Sequence, residues 1–274
     1  PAHGAGSSCG KNLSKETFST LGVQKKTNYA LREEMSKDEF VKELLDDMPL
    51  PPKYFKDNAM MNKTGYNSYE DVIKQGNKSL TIDEFKNYLN NPEIILLDVR
   101  HQKDFINKHI PNSIFIGLNG SFAPWVGNII GDVNKKILLI VPDGKEIETL
   151  TRLSRVGFDN CLGYLKGGIR EWENLGNPTK AIESISSKKF VDILKMNKVN
   201  LLDVRTNSEF DNKHIEGALN HPLDKLKNSF SEIKYEDNLY VHCAGGYRSV
   251  IAISILMKLG FKGLTNITEG FNEI

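Results

Sequence analysis

Apolar runs and helix-spaced apolar positions alternate along most of the chain, and the alternation occurs twice. Leu96-Leu97-Asp98-Val99-Arg100 returns as Leu201-Leu202-Asp203-Val204-Arg205, a shift of 105. Phe105 returns as Phe210, and Asn107-Lys108-His109-Ile110 returns as Asn212 to Ile215. Over 96–116 against 201–221, ten of 21 positions are identical. A helix start precedes each copy, with Thr81 before the first and Ser186 before the second. In both copies an apolar strand-like run is followed by a helical pattern, another apolar run and another helix. That order predicts an α/β fold, a mostly parallel sheet with helices on both faces. Two homologous domains are expected, at 76–178 and 182–274, the second with its final helix cut short.

The segment before the repeats reads differently. Pro1 to Lys11 is rich in small residues. It misses the phosphate-loop template G-x-x-x-x-G-K-[ST], with Ala5 where the first Gly belongs and Asn12 where Ser or Thr belongs, which argues against nucleotide binding. Ser14 with Thr17 opens a helical pattern to about Leu31. Ser36 is a suitable N-cap for a second helix, with Asp38 and Glu39 in its first turn and Phe40, Val41, Leu44 and Leu45 as its apolar stripe. Pro49, Pro51 and Pro52 end it. Residues 1–66 hold too few apolar positions for a core of their own and read as the tail of a domain lying upstream.

The most distinctive stretch is in the second repeat. The apolar run Leu239-Tyr240-Val241 leads to Cys243, small residues follow, and Ser249, Ile251, Ile255 and Leu259 then fall at helical spacing. Cys243 is therefore expected in a strand-to-helix turn, where Gly245 and Gly246 let the backbone fold tightly around the sulfur. The free N–H groups and positive dipole end of the following helix favour an anion, which for cysteine is the thiolate. Such a setting can lower the thiol pKa by several units from roughly 8.5. Arg248 places a cation at the far lip. A buried core cysteine is the competing reading, but core cysteines rarely carry Gly-Gly and Arg on a helix N-terminus. The first repeat has no cysteine here. Ile137 to Val141 runs into Pro142-Asp143-Gly144-Lys145-Glu146-Ile147-Glu148, a loop about two residues shorter whose acidic groups would repel an anion. Cys161 aligns with Leu264 in the next strand and reads as core.

Composition narrows the function classes. Lys plus Arg total 36 against 35 Asp plus Glu, for a net charge of +1, which argues against a nucleic-acid footprint. No apolar run approaches the ~18 residues of a membrane span, and no signal peptide is evident. Three well-separated cysteines, Cys9, Cys161 and Cys243, do not make a disulfide framework and fit a reducing cytoplasm.

Cys243-Ala244-Gly245-Gly246-Tyr247-Arg248-Ser249 resembles the active-site loop of rhodanese-type sulfurtransferases. Leu201 to Arg205 resembles that family's strand-and-turn motif, and His214-Ile215-Glu216-Gly217-Ala218 through Pro222 resembles the motif between the two. The resemblance implies tandem rhodanese-like domains, the first degenerate and non-catalytic. It gives Cys243 the role of nucleophile, with Arg248 beside it holding an anionic donor or acceptor. The N–H groups of Ala244, Gly245, Gly246, Tyr247, Arg248 and Ser249 would form the cradle, and Asp203 and Arg205 would buttress the loop. Since the Asp-Arg pair persists in the copy that lacks the cysteine, its role is structural, and the same logic assigns His214 to structure because His109 persists too. His242 is read as a strand residue.

A second resemblance concerns the tail. Pro1-Ala2-His3-Gly4 with Gly6-Ser7, and Pro51-Pro52-Lys53-Tyr54-Phe55, resemble the C-terminal end of metallo-β-lactamase-fold persulfide dioxygenases. It implies that 1–66 is a helical remnant of such a domain, that the parent protein of sulfide metabolism carries a mononuclear iron, and that His3 is a candidate ligand. No cofactor or metal is expected in 1–274 itself. The expected partners are small-molecule sulfur donors and acceptors, with no nucleic acid or membrane, and homo-oligomers forming through the parent. Three alternatives compete. A cysteine phosphatase needs a C-x5-R loop, and the spacing here is C-x4-R, a smaller cradle suited to a single sulfur. A docking or regulatory module fits the first repeat better than the second. The tail of a glyoxalase-type metallo-hydrolase is the third.

Overall fold

The computed structural model describes residues 18–45, 54–196, 199–234 and 238–274. The motif around His3, Cys9, the proposed helix start at Ser14 and Thr17, and Pro51 to Lys53 lie outside them. Contacts divide the chain into two units, Pro1–Pro51 and Pro52–Ile274.

In the first unit, α1 spans Leu21–Thr27 and α2 spans Lys37–Leu45, with a 3-10 turn at Tyr29–Leu31. The single helix expected to run to Leu31 is thus broken. Thr20 caps α1, and Asn28 ends it in an extended conformation and caps the next turn. Ser36 and Glu39 cap α2 reciprocally, as its sequence suggests: the Glu39 N–H donates to Ser36 Oγ, and the Ser36 N–H donates to Glu39 Oε2. Neither helix contains a buried residue.

The second unit begins with α3 (Phe55–Thr64) and α4 (Tyr69–Gly76). The boundary expected at 66 therefore falls earlier. Tyr54 is buried with its ring against Gly127, and Asn58 and Met61 of α3 lie against Gly157. These residues belong to the body of the first repeat because its core continues beneath them.

The first repeat runs β1 (Ser79–Leu80), α5 (Ile82–Leu89), β2 (Ile95–Asp98), α6 (Gln102–Asn107), β3 (Ile114–Phe115), α7 (Phe122–Ile130), β4 (Ile137–Ile140), α8 (Glu146–Ser154), β5 (Cys161–Leu165) and α9 (Gly168–Asn174). The second runs β6 (Glu183–Ile185), α10 (Ser187–Met196), β7 (Asn200–Asp203), α11 (Asn207–Asn212), β8 (Leu219–Asn220), α12 (Leu226–Ser229), β9 (Leu239–His242), α13 (Tyr247–Lys258) and β10 (Leu264–Ile267). The sheet orders are β1-β5-β4-β2-β3 and β6-β10-β9-β7-β8, the same topology twice. Every strand pair in both sheets is parallel. Burial on both faces explains the near-continuous apolar runs, such as Ile137 to Ile140, all four fully buried.

Local signals fix the helix starts. Thr81 with Glu84 and Thr206 with Glu209 form capping boxes at α5 and α11. Where the first repeat ends in α9, the second ends in a 3-10 turn, Gly270–Glu273. The repeats share one apolar core that includes Phe115 and Val126 of the first and Val250 and Ile251 of the second. No helix among the described residues is long and apolar enough to cross a membrane.

Candidate active site

The second sheet places the site at the carboxyl ends of β7 and β9, the usual location for ligand sites in open parallel sheets. These strands pair with Asp203 opposite His242, so Cys243 lies one residue beyond the end of that ladder. Gly246, with φ +83°, is the residue before α13. Only a glycine adopts that turn readily, and the turn points the Gly246 N–H at the Cys243 sulfur, 3.2 Å away. The Cys243 thiol in turn faces Ser249 Oγ at 3.8 Å, and the Ser249 hydroxyl donates to Asn266 Oδ1 at 2.8 Å. Cys243 is 1% exposed. Gly245 is exposed and Ala244 half-buried, so they form the solvent side of the loop.

The structure brings Cys243, Gly246 and Ser249 together and directs the remaining loop residues elsewhere. Arg248 donates from both terminal nitrogens to Glu209, at 2.7 Å each. The pair holds Glu209 down to about 2, the Arg248 hydrogen bonds being the main cause. The same bonds raise Arg248, with the nearby Cys243 adding to the effect. Arg248 is therefore a fixed cation beside the loop, not a free lip. The Tyr247 hydroxyl donates to the Gly117 carbonyl of the first repeat at 2.8 Å, and its ring meets Phe115 edge-on at 5.7 Å. A Cβ at Gly120 would lie 2.3 Å from that ring. The Phe115 N–H donates to Ser254 Oγ in α13 at 3.1 Å. The edge strand and following loop of the first repeat thus hold the helix that carries the cysteine loop.

Asp203 and Arg205 lie beneath the site. Arg205 Nη2 donates to Asp203 Oδ2 at 2.6 Å and to the Lys213 carbonyl at 2.9 Å. In the first repeat Arg100 Nη2 reaches Asp98 Oδ2 and the Lys108 carbonyl, both at 2.7 Å. The same buried pair with the same carbonyl partner in both copies is a structural clasp. His214 and His109 are likewise equivalent, each stacked on the phenylalanine four residues before it and bonded to that residue's carbonyl. His242 is fully buried with Nε2 3.6 Å from Asp203 Oδ2. Burial pushes its pKa down, against the pull of Asp203. Cys161 is buried in β5, and desolvation pushes its thiol up to about 12.

Sequence reasoning missed two supports of the loop. Asn266 is one. The other is the 3-10 turn at Gly270–Glu273: the Phe271 N–H donates to the Cys243 carbonyl at 2.7 Å, and the Asn272 N–H donates to the Ala244 carbonyl at 3.0 Å. The Phe271 ring also covers the Arg205 guanidinium at 3.8 Å. Nothing in Gly270-Phe271-Asn272 itself signals hydrogen bonds to a distant loop.

His3 lies outside the described residues, and among the described residues no group of three or more His, Cys, Asp or Glu side chains could hold a metal ion.

A family model described as "Rhodanese-like domain" matches residues 81–175 and 186–274. YrkF of Bacillus subtilis (strain 168) is 31% identical over 109 residues, 39% of this chain and 57% of that protein. "Thiosulfate sulfurtransferase 16, chloroplastic" of Arabidopsis thaliana is 35% identical over 83 residues, 26% of this chain and 69% of that protein. A crystal structure of a rhodanese-like domain protein from Staphylococcus aureus is 27% identical with a TM-score of 0.32, covering 34% of this chain and 90% of that one. The chain spans about three-fifths of the length of several curated relatives it matches, at 57%, 60% and 61%. With the model matching both repeats, each built on the same parallel sheet, the chain belongs to the rhodanese-like family as a tandem pair of its domains.

Proposed function

We propose that the second repeat is a sulfurtransferase that carries sulfane sulfur on Cys243. The observation that carries this reading is the cysteine loop itself. A thiol held by the Gly246 N–H at a helix N-terminus, with Ser249 on its other side, stands only in the second of two otherwise matching folds. The Cys243 thiolate attacks the outer sulfur of thiosulfate. The new bond joins Sγ to that sulfur, the old sulfur–sulfur bond breaks, and its electron pair leaves with sulfite. Sulfite, cyanide or a thiolate then attacks the terminal sulfur and leaves with it, returning Cys243 as the thiolate. A low-molecular-weight persulfide serves as donor by the same step, its thiolate leaving. The Gly246 N–H is placed to hold the persulfide's charge, as a backbone donor holds an oxyanion. Because the sulfur is covered, the donor must displace part of the Ala244–Gly245 side of the loop. Arg248 supplies positive potential from its place on Glu209.

The first repeat serves the second by fixing α13 through Gly117, Phe115 and Ser254. In the longer parent, we place the chain behind a persulfide dioxygenase domain of metallo-β-lactamase fold, in the reducing cytoplasm. The dioxygenase domain rests on the resemblance of the tail, and the compartment on the three well-separated cysteines. The test of transfer is thiocyanate formation from thiosulfate and cyanide. Wild type and Cys161→Ser are expected to turn over alike and Cys243→Ser not at all. Turnover by Cys243→Ser would overturn the reading.

A further inference from the structure

The Gly246 N–H donates to the Cys243 sulfur, but the hydrogen-bond directions on the Ser249 side suit the thiol and not the thiolate. Ser249 has one hydroxyl proton, and Asn266 Oδ1 takes it at 2.8 Å. The serine oxygen can then only accept from the Cys243 S–H, 3.8 Å away. Once that proton is gone, a thiolate would face serine lone pairs. Meanwhile Asn266 Nδ2 is buried with no hydrogen-bond partner, on a side chain that is 0% exposed. An unpaired buried donor costs about 1–3 kcal/mol, and buried donors are left unpaired more rarely than acceptors. The two ends of a carboxamide have nearly the same shape, so a half-turn needs no new space.

We propose that Asn266 is a positioning residue for Cys243, its amide inverting when Cys243 ionises so that Nδ2 donates to Ser249 and the Ser249 hydroxyl turns to donate to the sulfur. The inference rests on Cys243 working as a thiolate. The inversion gives the unpaired Nδ2 an acceptor and the thiolate a second donor beside Gly246. No proton leaves the Ser249–Asn266 pair; only the Cys243 proton goes to solvent. The first repeat offers an internal contrast. Asn266 sits across from Val241 and Ser184, and the residue in the matching register, across from Leu139 and Ser79, is Tyr164. The copy without the cysteine is also without the amide, whereas the Asp-Arg clasp is kept in both.

The test follows Cys243 alkylation by iodoacetamide across pH, resolved by peptide mass. This keeps it separate from sulfur transfer, since a cysteine that alkylates normally but never accepts sulfur would fail the function and leave this inference standing. The charged and titratable groups around the loop are Arg248 with Glu209, Asp203 with Arg205, His242, Lys188, Glu269 and Glu273, and every variant retains them. Ser249→Ala is expected to slow alkylation about tenfold at pH 7 and move its profile to higher pH, by loss of a donor worth about 1.4 kcal/mol. Asn266→Asp, which keeps an acceptor on the Ser249 proton, is expected to do the same in the native background and to have less than about a twofold effect on top of Ser249→Ala. An effect of Asn266→Asp that is equal in both backgrounds would be the reach of its charge alone and would overturn the proposal, as would an unchanged profile in Ser249→Ala. If Asn266→Asp does not fold, the Asn266 side-chain amide resonances of the native protein decide. They are expected to shift with Cys243 ionisation and stay fixed in Cys243→Ser; no shift in the native protein would overturn the inversion.

Discussion

Gly245 and Gly246 stand side by side in the cysteine loop, and the structure assigns them opposite sensitivities. Gly246 has φ +83°, and a Cβ there would lie 1.8 Å from the Thr268 carbonyl oxygen. The left-handed conformation costs an L-residue about 1–2 kcal/mol. The clash is with backbone, so the loop or the Thr268 strand end must shift, a strain of about 1–3 kcal/mol. Gly246→Ala should therefore destabilise by roughly 2–5 kcal/mol, a large part of the ~5–15 kcal/mol that holds a typical protein folded. The shift also draws the Gly246 N–H off the Cys243 sulfur, now 3.2 Å away. Losing a hydrogen bond to a charged sulfur, worth about 1.5–3 kcal/mol, should slow sulfur transfer about 10- to 100-fold. A Cβ at Gly245 meets nothing within 4 Å, and its φ lies outside the left-handed region. Gly245→Ala should change stability by less than about 0.5 kcal/mol. Urea unfolding and the thiosulfate–cyanide assay read both quantities. Equal behaviour of the two variants, or an unaffected Gly246→Ala, would refute the reasoning.

The remaining expectations concern the supports of the loop. Arg205→Met and Arg100→Met each leave a buried carboxylate without its partner, so each should cost about 3–5 kcal/mol in urea unfolding; a cost at Arg205 alone would contradict a purely structural clasp. Glu209 is held down to about 2 by Arg248. Its contribution to stability is present above the ordinary carboxylate range and is lost as pH falls from about 4.5 toward 2, so the gap between wild type and Glu209→Gln should close over that window; a gap independent of pH would argue against the pair. Tyr247→Phe loses the bond to Gly117 and should cost about 1 kcal/mol, while Gly120→Ala, which forces the Tyr247 ring out, should cost more by the same measurement. The reverse order would mean that the ring is not seated as described.

The repeat and its topology were legible because they are written in local signals. The two LLDVR strands, the helix starts at Thr81 and Ser186 and the apolar runs each act within a few residues of their own position. Cys243 was legible for the same reason, since strand, sulfur, glycines and helix are contiguous. What was not legible depends on contacts between distant residues. Arg248 reads as a free cation until the fold brings Glu209, 39 positions away, against it. Nothing near Tyr247 in sequence says that its hydroxyl reaches Gly117, 130 positions away. Asn266 looks like any polar strand residue until the neighbouring helix sets Ser249 beside it. That Tyr54 and α3 belong with the first repeat was not legible either, because they are assigned by packing on Gly127 and Gly157, far along the chain.

The most direct measurement of the central claim is the intact mass of the protein after a brief thiosulfate pulse, in wild type and Cys243→Ser. The account expects wild type to gain one sulfur, ~32 Da for a single persulfide on the thiolate nucleophile, to lose it on adding sulfite or cyanide, and Cys243→Ser to gain nothing. A folded wild type that gains no sulfur, or a mutant that gains it, would contradict Cys243 as the carrier.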